Sequence, residues 1–577
     1  MRLGTGVATA RAPVPCSVNV TRRDLIKLLA IAAGAGLAPR QLEAADGPAR
    51  LLAFEPLGNV TLLHITDSHA TLRPVFYREP DTLLGVGPER GRAPFLTGSG
   101  LLRAYHLAPG SVEAYAYTYI DFPALAARYG RMGGYAHLAT LVARIRQERS
   151  GRTLLLDGGD ALQGSATTLW SRGEDMVQVA NQLGVEVATA HWEFVHGLDR
   201  VKELFGDKEQ RGLFAGDFVA HNVTVAGWGD HVFNPYTIRE VGGVRVGVIG
   251  QAFPYTPVSH PRRFVPDLTF GIREDGVQAV VNELRSAKKV DLVVLLSHNG
   301  ITVDLKLASR VHGLDVVLGG HTHDALPQPL VVGKTLVVNS GAHGKFLSRL
   351  DLDVQRGRVA GHRYRLIPVL AQDLPEDPDM AKLIDEIRRP HETKLGEQLA
   401  VSESLLYRRG NFNGTFDELI LDALIRRGDA QIAFSPGFRW GVTILPGQDI
   451  TLEDVYAHTA LPYANTWVRE MTGSEIQQIM EDVADNLFHP DPYYRQGGDM
   501  VRLGGLTYAI DPSRHMGRRI FDIRVAGRAL DPDRRYKATG WASLGDADGP
   551  PAWDVVADYL RSVRRVKLNP RARVRVI

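Results

Sequence analysis

From about residue 58 to residue 370 the chain alternates short, wholly apolar runs with longer stretches that are apolar on one side only. The runs are Val60–Ile65, 153–156, 244–249, 290–296 and 314–318, built mostly of Val, Ile and Leu. A strand that is apolar at every position must be covered on both faces, whereas in–out alternation marks a sheet with one wet face. Residues 134–146 and 277–288 carry apolar side chains three and four positions apart, which predicts helices between the strands. Together these patterns predict a layered α/β domain.

Residues 71–130 interrupt the alternation. They are rich in Pro, Gly, Tyr and Arg and show no clear period. So long an aperiodic stretch predicts a functional loop, such as a lid or a partner-docking surface, or else a surface decoration. At Pro375-Glu376-Asp377-Pro378 the composition shifts, and 380–397 reads as a polar amphipathic helix joining two domains. The expected organisation is a domain over 46–375 with the 71–130 insertion, a connector over 376–397, and a second, smaller domain over 398–577. The second domain opens with a helix at 415–427 and ends in a basic, alternating tail, 561–577, that reads as an exposed-face strand. No internal repeat or low-complexity segment is visible.

With 44% apolar and 23% charged residues the chain has the composition of a soluble globular protein. A formal charge of +2 gives no ground for nucleic-acid binding. The single cysteine, Cys16, excludes an intrachain disulfide and a Cys-rich zinc motif.

Cys16 falls in a segment, 1–45, that reads as a leader. Arg22-Arg23 precede a weakly apolar run, 28–38, and Ala44-Ala45 offer small residues for cleavage. The run is too short for a stable membrane anchor. The twin arginine resembles a Tat signal, which implies export to the periplasm. Six basic and two acidic residues leave with this leader, so the mature chain would carry a charge near −2. Tat exports folded proteins, often with a metal already loaded, which directs attention to metal ligands.

Those ligands sit at the carboxyl ends of the apolar runs. Asp67-Ser68-His69 follows the first, Asp157-Gly158-Gly159-Asp160 the second, and Ala190-His191-Trp192-Glu193-Phe194 the turn near 185–189. Ser297-His298-Asn299-Gly300 and His321-Thr322-His323-Asp324 follow the last two. Strand carboxyl ends in open α/β sheets converge on one crevice, so ligands distant in sequence can meet there.

The series D-x-H, GGD, H-W-E-F, S-H-N-G and G-H-T-H resembles the dinuclear metallophosphoesterase superfamily, and within it the 5′-nucleotidase branch. The resemblance implies an αββα metal-binding domain followed by a smaller α/β 5′-nucleotidase-type domain. It implies that Asp67, His69 and His323 hold one metal, that Asp160 bridges both, and that His191, His298 and His321 hold the other. Five histidines and two aspartates suit Mn, Fe or Zn alike.

The third motif departs from that branch. Nucleotidases read G-N-H-E-F-D there. Here His191 takes the Asn ligand position, Trp192 replaces the catalytic His, and Val195 replaces its Asp partner. H-W-E-F in this setting resembles the SoxB family of thiosulfohydrolases. That resemblance implies two manganese ions and a periplasmic reaction in the Sox system of thiosulfate oxidation. It also implies a SoxYZ-type sulfur-carrier protein as partner, presenting a modified cysteine whose terminal sulfonate is released as sulfate.

The chemistry is consistent with it. A sulfur anion leaves far more readily than an alkoxide, so the general acid, typically worth about 10²–10⁴-fold, becomes dispensable. Asp160 and Arg439 are expected to carry catalysis. Arg439, Trp192, Asn465 and Tyr508 are expected to contact substrate. Arg439 lies in Ser435-Pro436-Gly437-Phe438-Arg439-Trp440-Gly441, where a guanidinium fork could hold an anion or instead make a structural ion pair. A monomer is expected. A periplasmic 5′-nucleotidase or cyclic phosphodiesterase is the alternative.

Overall fold

The structure is a computed structural model that describes residues 52–577, so the leader expected at 1–45 lies outside the described residues. Each of the five apolar runs becomes a strand. Val60–Ile65 is bounded as its pattern predicts, and the others, Thr153–Asp157, Val244–Gln251, Leu292–Ser297 and Val316–Gly319, shift by no more than two residues.

The strands divide between two six-stranded sheets among the described residues. One runs Arg358–Pro368, Phe346–Gln355, Val60–Ile65, Thr153–Asp157, Val187–Ala188, Asp217–Phe218. The other runs Leu330–Val332, Thr335–Asn339, Val316–Gly319, Leu292–Ser297, Val244–Gln251, Tyr236–Val241. Leu62, Leu154 and Leu156 of the first meet Val248, Val294, Leu296 and Leu318 of the second in a dry layer. On the outer face of the second sheet lie helices Glu274–Ser286 and Ile301–Arg310, whose Val277, Val281, Leu284 and Leu307 pack on Val293, Leu295 and Val317. Helix Tyr135–Glu148 buries Leu138, Leu141, Val142 and Ile145. The domain is therefore αββα, which explains why its central strands carry no polar face.

Register brings the functional loops level. Ile65 pairs with Asp157, Asp157 with Ala188, and Ser297 with Gly319, all in parallel. The loops bearing the expected ligands thus leave the two sheets at one edge.

The connector is not a single helix. It forms Pro378–Arg388 and Glu392–Leu395. Pro390 lies in the break, where its ring cannot continue an i to i−4 ladder. Beyond it a sheet of Thr466–Thr472, Arg535–Trp541, Ile432–Ser435 and Arg502–Gly504 carries helices Thr415–Gly428, Gly473–Phe488 and Ala552–Val563. The tail also differs from expectation. Residues 561–563 finish a helix, Arg565–Val566 and Val574–Val576 form two short strands, and Arg571 and Arg573 are paired with Glu418 and Asp422.

The 71–130 stretch is structured. It contains helices Gly98–Ala104, Val112–Tyr117 and Phe122–Tyr129, each too short to show a helical period in sequence. It is bonded to both domains. Glu79 pairs with buried Lys345 at 2.6 Å, and the Tyr117 hydroxyl donates to the Leu366 carbonyl at 2.6 Å. On the other side the Leu84 amide donates to Asn411 Oδ1 at 2.6 Å, Glu89 pairs with Arg495 at 2.7 Å, and Arg78 lies 3.9 Å over the Tyr407 ring. Among the described residues no helix is long and apolar enough to cross a membrane.

Candidate metal centre

The seven residues expected as ligands come together. Asp67, His69, Asp160 and His323 offer one atom each, all within 4.8 Å of one another; Asp160, His191, His298 and His321 do the same. Asp160 belongs to both groups. His191 Nδ1 and His298 Nε2 lie 3.2 and 3.1 Å from its carboxylate, and His69 Nε2 lies 3.9 Å away. All seven are buried. Asp67, His69, Asp160, His321 and His323 also adopt positive φ, between 46° and 70°. That region is unfavourable for residues other than glycine and clusters at functional sites.

Neighbouring groups fix which imidazole nitrogen faces inward. His69 turns Nδ1 to Gln163 Oε1 at 3.0 Å, leaving Nε2 for the cluster. His298 donates from Nδ1 to the Gly158 carbonyl at 2.6 Å and faces Asp160 with Nε2. His321 donates from Nε2 to the Gln496 carbonyl at 2.9 Å, so Nδ1 is its free atom, and no protein group satisfies that buried nitrogen. Such outer partners set the tautomer and orientation of metal-binding histidines. His69 Nε2 and His323 Nε2 lie 3.0 Å apart, a separation that needs a shared proton or cation. The donor set and its unpartnered buried nitrogen fit two divalent ions.

Electrostatics agrees. Burial, with neighbouring imidazoles adding to it, holds His321 and His323 well below the usual histidine range, so both are neutral donors. Burial would raise Asp160, but His191 and His298 outweigh it and hold the carboxyl well below its usual value. Burial raises Asp67 well above its ordinary value, partly offset by His298. His298 itself is pushed up to about 10, burial being outweighed by Asp160 and Asp67. In the third motif, Glu193 accepts from the His191 and Ala161 amides at 2.6 and 2.9 Å, and the Trp192 amide donates to Asp160 Oδ1 at 2.9 Å.

A cavity of about 210 Å³ opens beside the cluster, lined by His69, Asp160, His321 and His323 together with Trp192, Phe253, Phe438, Arg439 and Trp440. Trp192 and Arg439 are therefore placed at the site. Asn465 and Tyr508 are not brought to it. Asn465 Nδ2 donates to the Gly549 carbonyl at 2.8 Å, holding two chain segments together. Tyr508 lies within Leu506–Ile510 and packs in the core of the second domain.

Arg439 is anchored by the Gly498 carbonyl and by Asp499, whose Oδ1 lies 3.5 Å from its Nε. The side chain therefore makes a structural pair and also lines the cavity. Arg408, Arg409, Arg439 and Arg502 share the buried carboxylates Asp417 and Asp499, so cations outnumber anions behind this wall. Phe438 and Trp440 stack directly, ring centres 4.0 Å apart, which leaves no slot for a third ring between them.

Sequence reasoning missed Gln163, Phe253, Gln496 and Asp499, none of which carries a local motif. It also missed His260, whose ring lies 4.6 Å from Trp192 and 5.3 Å from His191. Burial, reinforced by His191, keeps His260 well below the usual histidine range, and its Nδ1 is 2.7 Å from the Ser259 hydroxyl. Its Nε2 is buried and meets no partner in the protein.

Residues 60–325 match the calcineurin-like phosphoesterase family, and residues 400–552 match the 5′-nucleotidase C-terminal domain. The sulfate thiohydrolase SoxB of Thermus thermophilus, solved in complex with glycerol, is 40% identical with a TM-score of 0.87, covering 91% of this chain and 98% of that one. The chain belongs to the SoxB family. The same SoxB fold extends to nucleotidases: a 5′-nucleotidase precursor, also from Thermus thermophilus, is 25% identical with a TM-score of 0.70, covering 90% of this chain and 99% of its own. The 5′-nucleotidase of Bos taurus is 25% identical over 433 residues, 68% of this chain and 73% of its own length. With these families and the two ligand groups, the protein is a metal-dependent hydrolase with a dinuclear site.

Proposed function

We propose that the protein is a periplasmic sulfate thiohydrolase that releases sulfate from a cysteine S-thiosulfonate carried by a SoxYZ-type sulfur-carrier protein, with two Mn²⁺ as cofactors. The observation that carries this reading is the third motif. Trp192 lines the cavity beside Asp160 where a proton-donating histidine would be needed for an alkoxide leaving group, and Val195 is buried. An indole and an isopropyl group offer no acid.

Two divalent cations, when bound, lower the pKa of a coordinated water toward about 7 and neutralise the oxyanion. The remaining work falls to the chain. Asp160 is shared by both ligand groups, Arg439 brings a fixed cation to the anionic end of the substrate, and the aromatic wall excludes bulk water. The water oxygen bonds to the terminal sulfur, the S–S bond breaks, and its electron pair leaves on the carrier's sulfur. The products are sulfate, a carrier persulfide anion and two protons. The likeness to the Thermus thermophilus SoxB supports this assignment.

The test is sulfate release from a thiosulfonate-loaded carrier, measured by ion chromatography, with Asp160→Ala abolishing it. Release of phosphate from AMP at enzymatic rates, with no sulfate from the carrier, would overturn the proposal in favour of a nucleotidase.

A further inference from the structure

Phe438, Arg439 and Trp440 line the cavity from residues 436–443, a stretch with no regular secondary structure. A site built on such a loop keeps its geometry only through bonds to other parts of the chain. The outer half is tied within its own domain. The Asp499 amide donates to the Gly437 carbonyl at 2.8 Å, and Arg439 is held by Gly498 and Asp499. The inner half is tied to the inserted segment. The buried Thr443 donates from its amide to the Phe76 carbonyl at 2.7 Å, and its hydroxyl oxygen accepts from the Arg78 amide at 3.0 Å. Between these two bonds the Tyr77 hydroxyl donates to the Arg439 carbonyl at 3.4 Å. Residues 76–78 are in turn fixed to the first domain. Lys345 Nζ donates to the Tyr77 carbonyl at 3.2 Å, and the Tyr77 ring lies 4.5 Å from that of His343, whose amide donates to the Asp67 carbonyl at 2.8 Å.

We propose that Thr443 is a positioning residue for substrate binding: clamped to Phe76 and Arg78, it sets where its loop places Arg439 relative to the candidate metal ligands. The brace rests on the bonds just described; only the chemistry of the bound group, a sulfonate, rests on the proposed function. Thr443 acts through the backbone and not on the substrate itself. Misplacing a substrate-holding group by about 1 Å is enough to weaken its work severely. The brace also gives the inserted segment a task at the site, although no residue of 71–130 lines the cavity.

The test is Thr443→Val in the full-length, metal-loaded protein. Valine keeps the shape and the amide bond to Phe76 and removes the acceptor for Arg78. KM for the thiosulfonate-loaded carrier should rise about three- to tenfold, the size of one net hydrogen bond, with kcat within about twofold of wild type and metal content unchanged. Thr443→Ser keeps the hydroxyl and should restore the wild-type KM. An unchanged KM in T443V, or a KM in T443S raised as far as in T443V, overturns the inference. Should T443V fold poorly, Tyr77→Phe decides in its place, since it removes only the hydroxyl on the Arg439 carbonyl: a raised KM at constant kcat supports the brace, and an unchanged KM overturns it. If the wild type cleaves AMP and releases no sulfate from the carrier, the reaction assignment falls, and a raised KM for AMP in T443V keeps the brace. If the wild type releases sulfate and T443V has the wild-type KM, the brace falls and the reaction stands.

Discussion

The Nε2–H of His321 donates to the carbonyl oxygen of Gln496 at 2.9 Å, so an imidazole of the candidate metal centre in the first domain takes its orientation from a loop of the second. The next residue, Gly497, has φ +79°, and a Cβ there would lie 2.6 Å from His321 Nε2. Gly497→Ala should therefore turn the imidazole away. Loss of such an outer partner typically costs about 10–100-fold in metal affinity. Elemental analysis after dialysis should show one ion retained by Asp67, His69 and His323 and the other depleted. Two ions per chain in the variant would sink the idea.

Metal uptake should release protons. His298 is pushed up to about 10 in the metal-free protein, above its ordinary value of about 6.5. A raised histidine stabilises the metal-free fold fully below its unfolded value, and that contribution is lost as pH rises through about 10. A metal ligand must be the neutral ring, so binding near pH 7 expels the proton and affinity climbs with pH. Calorimetry in two buffers of different ionisation enthalpy measures the protons released. Equal apparent enthalpies in the two buffers would contradict the assignment.

Restoring the acid dyad should restore phosphate chemistry. Trp192→His together with Val195→Asp places a proton donor beside the cavity. Phosphomonoester hydrolysis should rise about tenfold or more, within the range of general-acid effects. An unchanged rate, with metal content intact, would separate the third motif from leaving-group preference.

The inserted segment is anchored by the buried pair of Glu79 and Lys345 at 2.6 Å. Lys345→Met leaves Glu79 buried without its cation and should cost about 3–5 kcal/mol of stability, read by chemical denaturation. The double substitution Lys345→Met, Glu79→Gln should recover much of that loss. A single variant as stable as wild type would show that the pair does not anchor the strap.

Much of this architecture was legible in sequence because the central strands are buried on both faces. Residues 292–296 and 316–318 sit between two layers, so every position is apolar and the run shows itself. The candidate metal ligands other than His191 were legible because each follows such a run; His191 follows only the two-residue strand Val187–Ala188. The outer partners were not. Gln163 and Gln496 acquire meaning only when the chain brings a distant histidine to them, and nothing in their neighbours signals it. Tyr508, expected at the substrate, is instead an inward-facing residue of a strand, which its neighbours in sequence do not reveal. Pro390 was visible, and it marks where the connector helix breaks.

The Gln496 contact also bears on when the protein can acquire its ions. Synthesis runs from the amino end, and residue 496 emerges long after His321. Until then the imidazole has no carbonyl to hold it, and the nascent first domain carries an unfinished pocket. His321 therefore takes its final orientation only after most of the second domain has been made.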